Sequence, residues 1–179
     1  MDGGVNMKYL VVSDNHGNRD VLVDLVHVWE KKIDGMFHCG DSELKEDDTL
    51  WQKFVVVKGN CDYSPEYQKE TAIAHGEDTI YMTHGHLFNV NMGLTCLSLA
   101  AKEKNASLCF YGHTHKLAAE MVDGILYLNP GSISQPRGKY SHLKTYAIVE
   151  TSEKEIEVAF YTQNHEKLSD LTFTFPRED

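Results

Sequence analysis

Short apolar runs alternate with helix-period stretches over the first two thirds of the chain, and the last third reads almost entirely as strands. Tyr9-Leu10-Val11-Val12 has the length and continuity of a buried strand. From Val21 to Lys31 the residues Leu22, Leu25, Val26 and Trp29 recur at helical spacing, and Asn18 stands where it could cap that helix. Met36-Phe37-His38-Cys39 and Phe54-Val55-Val56-Val57 are further strand-like runs, each leading into glycine and a polar residue. Ala72-Ile73-Ala74 and Thr79-Ile80-Tyr81-Met82 flank Gly76 as a hairpin would, and Met92 to Lys102 carries Leu94, Leu97 and Ala101 on one helical face. After Leu108-Cys109-Phe110-Tyr111, the pair Asp123-Gly124 separates Ala118–Val122 from Ile125–Leu128, a strong two-residue hairpin signal. Tyr146–Val149, Ile156–Tyr161 and Leu171–Phe175 complete a β-rich end.

This order predicts an α/β architecture in which an early, partly parallel β-α-β half joins a later antiparallel half, as two packed sheets with helices outside. The 179 residues, 41% of them hydrophobic, suffice for one domain over residues 7–179. Met1 to Asn6 reads as a disordered leader, with Met7 an alternative start. A net charge of -10 disfavours bulk nucleic-acid binding, because phosphate backbones are repelled wherever bound cations do not reverse the local sign. The cysteines Cys39, Cys61, Cys96 and Cys109 contain no CxxC pair, no secretory signal precedes them, and no apolar run approaches the roughly 20 residues that cross a bilayer. A cytoplasmic protein is therefore expected.

Five of the strand-like runs end in side chains that bind hard or borderline metals: Asp14-Asn15-His16, Gly40-Asp41, Gly59-Asn60-Cys61-Asp62, Thr83-His84-Gly85-His86 and Gly112-His113-Thr114-His115. Each alone has an ordinary explanation, since Gly-Asp and Gly-Asn are common in turns and a lone Asp-x-His marks many strand ends. Together they describe a pocket for two divalent cations and hydrolytic chemistry. Asp14 and His16, two apart in an extended segment, can grip one ion from one side. The two oxygens of Asp41 can bridge a pair of ions, and Asn60 offers a neutral carbonyl oxygen. In open α/β sheets ligands bind beyond the carboxyl ends of strands, where all five segments fall, so they can converge.

The motifs D-x-H, G-D, G-N-x-D, H and G-H-x-H, from Asp14 to His115, resemble the calcineurin-like metallophosphoesterase superfamily. Asn129-Pro130-Gly131-Ser132 adds a likeness to its small YfcE-type bacterial and archaeal phosphodiesterases, extending over essentially the whole chain. The resemblance implies a four-layer α/β/β/α sandwich of two mixed sheets flanked by helices. It also implies that Asp14, His16, Asp41 and His115 hold one metal while Asp41, Asn60, His84 and His113 hold the other. Two ions about 3.5 to 4 Å apart would then activate a bridging hydroxide for in-line attack on a phosphate ester. The shell suits Mn2+, Fe2+ or Zn2+, with Mg2+ or Ni2+ as further choices, and the resemblance favours manganese. A homodimer is expected on the same ground.

One position departs from the family pattern. Cys61 stands where many members carry the histidine that contacts the phosphate or protonates the leaving group, and Asp62 is then read as structural. His86 is the nearest substitute, placed either to touch substrate or to line the rim; the candidate catalytic residues are thus Asp41, Asn60, His113 and His86. Ser132 and Arg137 are weaker candidates for a phosphate contact. His27, His38, His75, His142 and His165 lie outside any ligand spacing and read as surface or packing residues. Two other readings stay open: a non-catalytic interaction scaffold like the retromer subunit Vps29, and a broad phosphomonoesterase.

Overall fold

The computed structural model describes residues 6–178, so the expected leader, apart from the exposed Asn6, lies outside the described residues. Strands β1 (Met7–Val12), β2 (Gly35–His38) and β3 (Phe54–Val56) pair in parallel, with helix α1 (Arg19–Trp29) crossing between the first two. The C-terminal strands β9 (Thr145–Thr151), β10 (Glu155–Thr162) and β11 (Lys167–Pro176) extend the same sheet as an antiparallel meander, entering beside β1 to give the order β11-β10-β9-β1-β2-β3. The second sheet, of order β4-β5-β6-β8-β7, contains β4 (Glu70–His75), β5 (Asp78–Thr83), β6 (Leu108–Phe110), β7 (Ala118–Val122) and β8 (Ile125–Asn129), with helix α2 (Thr95–Glu103) between β5 and β6.

The expected division into an early parallel and a late antiparallel half therefore does not coincide with the two sheets. Each sheet is mixed: the late meander joins the N-terminal strands, and β5, β6 and β8 run parallel in the other sheet.

Side-chain alternation turns these sheets into layers, because successive residues of a strand point to opposite faces. Tyr9, Val11, Phe37, Ile80, Met82, Leu108, Phe110, Leu126 and Leu128 fill the space between the sheets. Their neighbours Leu10, Val12 and Met36 face outward onto Leu22, Leu25 and Trp29 of α1. Tyr81, Cys109 and Tyr127 do the same on the other side against Leu97 and Ala101 of α2. Runs buried on both faces are why these strands read as continuously apolar. The result is the expected four-layer sandwich.

Local details follow from single residues. Asn18 caps α1 by accepting from Val21 N at 3.4 Å. Asp123 and Gly124, with φ of 51° and 76°, make the β7–β8 turn of the type that matches strand twist. Helix α2 begins at Thr95, later than the expected Met92, because Val90–Met92 form a separate 3-10 turn and Gly93 breaks the helix at φ 125°.

Candidate metal centre

The polar segments leave the C-terminal ends of β1, β2, β3, β5 and β6, and the parallel runs of both sheets bring those ends to one edge of the sandwich. The segments are tied to one another by backbone. Asp14 N donates to Gly40 O at 3.0 Å, His16 N to Asp41 O at 3.1 Å, and Gly112 N to His84 O at 2.9 Å. Asp62 is buried and acts as a clamp. One of its oxygens accepts from Asp41 N at 2.9 Å and Gly59 N at 2.7 Å, the other from Glu43 N at 2.8 Å. That agrees with its structural reading.

The predicted site residues come together in two groups. Atoms of Asp14, His16, Asp41 and His115 lie within 4.8 Å of one another, as do atoms of Asp41, His84 and His113, so Asp41 belongs to both. Asn60 joins the second group, its Oδ1 lying 3.1 Å from His84 Nε2 and 2.9 Å from His113 Nδ1. His86 stands beside them, its ring centroid 5.4 Å from that of His84 and 6.1 Å from that of His113, and its Nδ1 is buried without a hydrogen-bond partner.

Several observations fit a cation here. Nδ1 of His84 faces Cys39 O at 2.7 Å and Nδ1 of His115 faces Gln135 O at 2.7 Å; an N–H donated to each carbonyl leaves Nε2 as a lone pair aimed inward. His84 Nε2 then confronts Asp41 Oδ2 at 3.2 Å, and His115 Nε2 confronts both Asp14 Oδ1 and His16 Nε2 at 3.1 Å. As bare acceptors, atoms this close repel, so positive charge belongs among them, either a proton on a ring or a cation. Asp14 Oδ1 is buried and makes no hydrogen bond. Space is reserved as well: a Cβ on Gly59 would collide with the Asp41 carboxylate, and one on Gly112 with Ser13 Oγ and Asp14 Oδ2. The donor set of carboxylate, amide oxygen and imidazole suits borderline divalent ions.

The electrostatics are those of opposed charges in a confined space. Burial pushes Asp14 up, but the His115 ring, His84 and the Ser13 hydroxyl outweigh it and hold the carboxyl below the usual carboxylate range. Asp41 behaves likewise, with His84 outweighing burial. Burial pulls His84 down, yet Asp41 and Asp14 raise it overall. His86 and His113 are lowered, first by burial and then by His84. Burial, with Asp41 and Glu43 nearby, pushes the Cys61 thiol up to about 11.

One sequence expectation changes. Ser132 is buried and donates to Asp14 O at 2.8 Å while accepting from Gln135 N at 2.7 Å, so it braces the first ligand segment instead of facing a phosphate. Arg137 is exposed and contributes a backbone N–H to His115 O.

His38 proves more than a packing residue. Its Nδ1 accepts from Gly40 N at 3.0 Å and its Nε2 faces Asn15 Oδ1 at 2.7 Å, stitching two ligand segments together. The signal for it was a titratable residue inside an apolar strand. Burial holds its pKa down to about 4. The unfolded chain, titrating near 6.5, takes up the proton first, so stability falls as pH drops from about 6.5 towards 4, by about 3 kcal/mol in total. His38→Gln, which can keep both hydrogen bonds, should flatten the melting temperature across that window. Equal slopes in the two proteins would refute this.

The calcineurin-like phosphoesterase superfamily domain model matches residues 7–154. The Probable metallophosphoesterase YsnB of Bacillus subtilis is 35% identical over 165 residues, covering 92% of this chain and 96% of that one. The crystal structure of a predicted phosphoesterase from Streptococcus pneumoniae superposes with a TM-score of 0.94 at 39% identity, over 97% of this chain and 99% of that one. Vps29 of Entamoeba histolytica, solved with zinc, shares the fold at 22% identity and a TM-score of 0.72, over 95% of this chain and 98% of that one. With the family model spanning both ligand clusters, the chain belongs to the calcineurin-like phosphoesterase superfamily, as a metal-dependent phosphoesterase.

Proposed function

We propose that this protein is a binuclear-metal phosphodiesterase of the cytoplasm, folded as one domain over residues 7–179 and acting on small phosphate esters. The observation that carries the reading is that Asp41 belongs to both ligand clusters. Asp14, His16, Asp41 and His115 hold one divalent ion, and Asp41, Asn60, His84 and His113 the other, with Mn2+ favoured. Such ions, when bound, supply Lewis-acid charge for the phosphoryl oxygens and an activated water for in-line attack. The chain's part is positional. Asp62 fixes Asp41 and the Gly59 turn, and the carbonyls of Cys39 and Gln135 set the tautomers of His84 and His115. His86, whose partly exposed ring lies beside those of His84 and His113, contacts the substrate or its leaving group. Cys61 keeps its proton at neutral pH but gives it up poorly. Aryl diesters, whose leaving groups need little protonation, therefore suit the site best. The free state of all four cysteines supports the cytoplasmic assignment.

The test is metal analysis of the purified protein together with hydrolysis of a chromogenic aryl phosphodiester and the matching monoester. Two divalent ions per chain are expected. Chelation should eliminate turnover, added Mn2+ should restore it, and the diester should be preferred. Metal bound at full occupancy with no turnover of either ester would favour a non-catalytic scaffold.

A further inference from the structure

His16 differs from the other inward-facing histidines in how its outer nitrogen is held. His84 and His115 each turn Nδ1 to a backbone carbonyl, which the fold supplies whatever side chains surround it. His16 turns Nδ1 to a side chain, lying 3.5 Å from Glu43 Oε1, while its Nε2 faces Asp14 and His115. We propose that Glu43 is a positioning residue, its carboxylate accepting the Nδ1 proton of His16 and so setting how tightly the cluster of Asp14, His16, Asp41 and His115 holds its ion. The inference rests on the two-ion reading above.

The ordinary alternative is a solvated surface pair, worth little. The local backbone argues against it. Glu43 adopts φ 55°, a left-handed conformation that non-glycine residues rarely take. It is held there because its N–H donates to Asp62 Oδ1 at 2.8 Å, the same carboxylate that fixes Asp41. The neighbouring segments run side by side, with His16 N bonded to Asp41 O and Gly17 N to Ser42 O at 2.9 Å. That register carries the Glu43 side chain over the His16 ring. The clamp that places the shared carboxylate thus also places the group that orients His16. An outer carboxylate of this kind fixes the ring's tautomer and direction and makes it a stronger ligand, and losing one typically lowers metal affinity by about 10- to 100-fold.

Calorimetric titration of chelator-treated protein with Mn2+ tests the proposal, with circular dichroism to confirm folding. Wild-type protein should bind two ions. Glu43→Ala should weaken one of the two binding events by about 10- to 100-fold and leave the other unchanged. Glu43→Gln, whose amide oxygen can still accept from Nδ1, should recover most of that loss. Glu43→Ala binding both ions like wild type, or losing both equally, would overturn the proposal, as would Glu43→Gln behaving no better than Glu43→Ala. Wild-type protein that binds fewer than two ions would refute the two-ion reading itself, before any variant is compared.

Discussion

Asp41→Asn should lower phosphodiester turnover by more than about 10³-fold, because several kcal/mol of Lewis-acid stabilisation depend on the shared carboxylate. Of its two oxygens, Oδ1 accepts from Cys61 N at 2.8 Å and Oδ2 faces His84 Nε2 at 3.2 Å. Asparagine keeps one acceptor oxygen and replaces the other with an N–H donor, so it can serve one cluster but not two. The backbone ties of residue 41 to Asp62 and His16 do not involve its side chain, and the fold should survive. Steady-state kinetics, elemental analysis and circular dichroism on the same preparation check this. A folded Asp41→Asn protein with near-normal turnover would refute the shared-carboxylate arrangement.

His84 and His86, two residues apart on one loop, should behave differently when each is replaced by alanine. The His84 ring is fully buried, anchored at Cys39 O and aimed at Asn60 and Asp41. His84→Ala should therefore lose metal, and activity with it. His86 opens the next 3-10 turn, is partly exposed and belongs to neither ligand cluster. His86→Ala should keep its metal content. It should lose about 10- to 100-fold in kcat/KM, the worth of one hydrogen bond to a charged phosphate group. Metal retained in His84→Ala but lost in His86→Ala would mean that the ligand is the other histidine of the pair.

Strand and helix positions were legible because burial on two faces or one leaves a direct trace in the order of residues. Tyr9 to Val12 reads as a strand buried on both sides, and is one. Sheet membership left no such trace. Nothing local in Thr145–Thr151 says that it pairs with β1 and not with a nearer strand, since that choice depends on packing across the whole chain. The start of α2 was missed for a different reason: Leu94 fits the helical period, but Gly93 and the preceding turn interrupt it. At the candidate metal centre, the residues that cluster announced themselves by type and repetition. The groups that hold them did not. Ser132 reaches Asp14 across 118 positions and His38 reaches Asn15 across 23, contacts that only the folded chain makes.

Asp14, His16, Asp41, His113 and His115 all have positive φ, between 44° and 71°. Asp and His tolerate this region better than most residues, yet each such residue still costs on the order of 1–3 kcal/mol and persists only where its surroundings enforce it. One end of the sandwich is therefore intrinsically less stable than its middle, and it is where local unfolding should begin. An ion that binds only the folded arrangement opposes that opening by mass action, contributing about 2.7 kcal/mol when free metal stands at a hundred times its dissociation constant. How often this end of the molecule opens is then set by the concentration of free metal around it as well as by the chain.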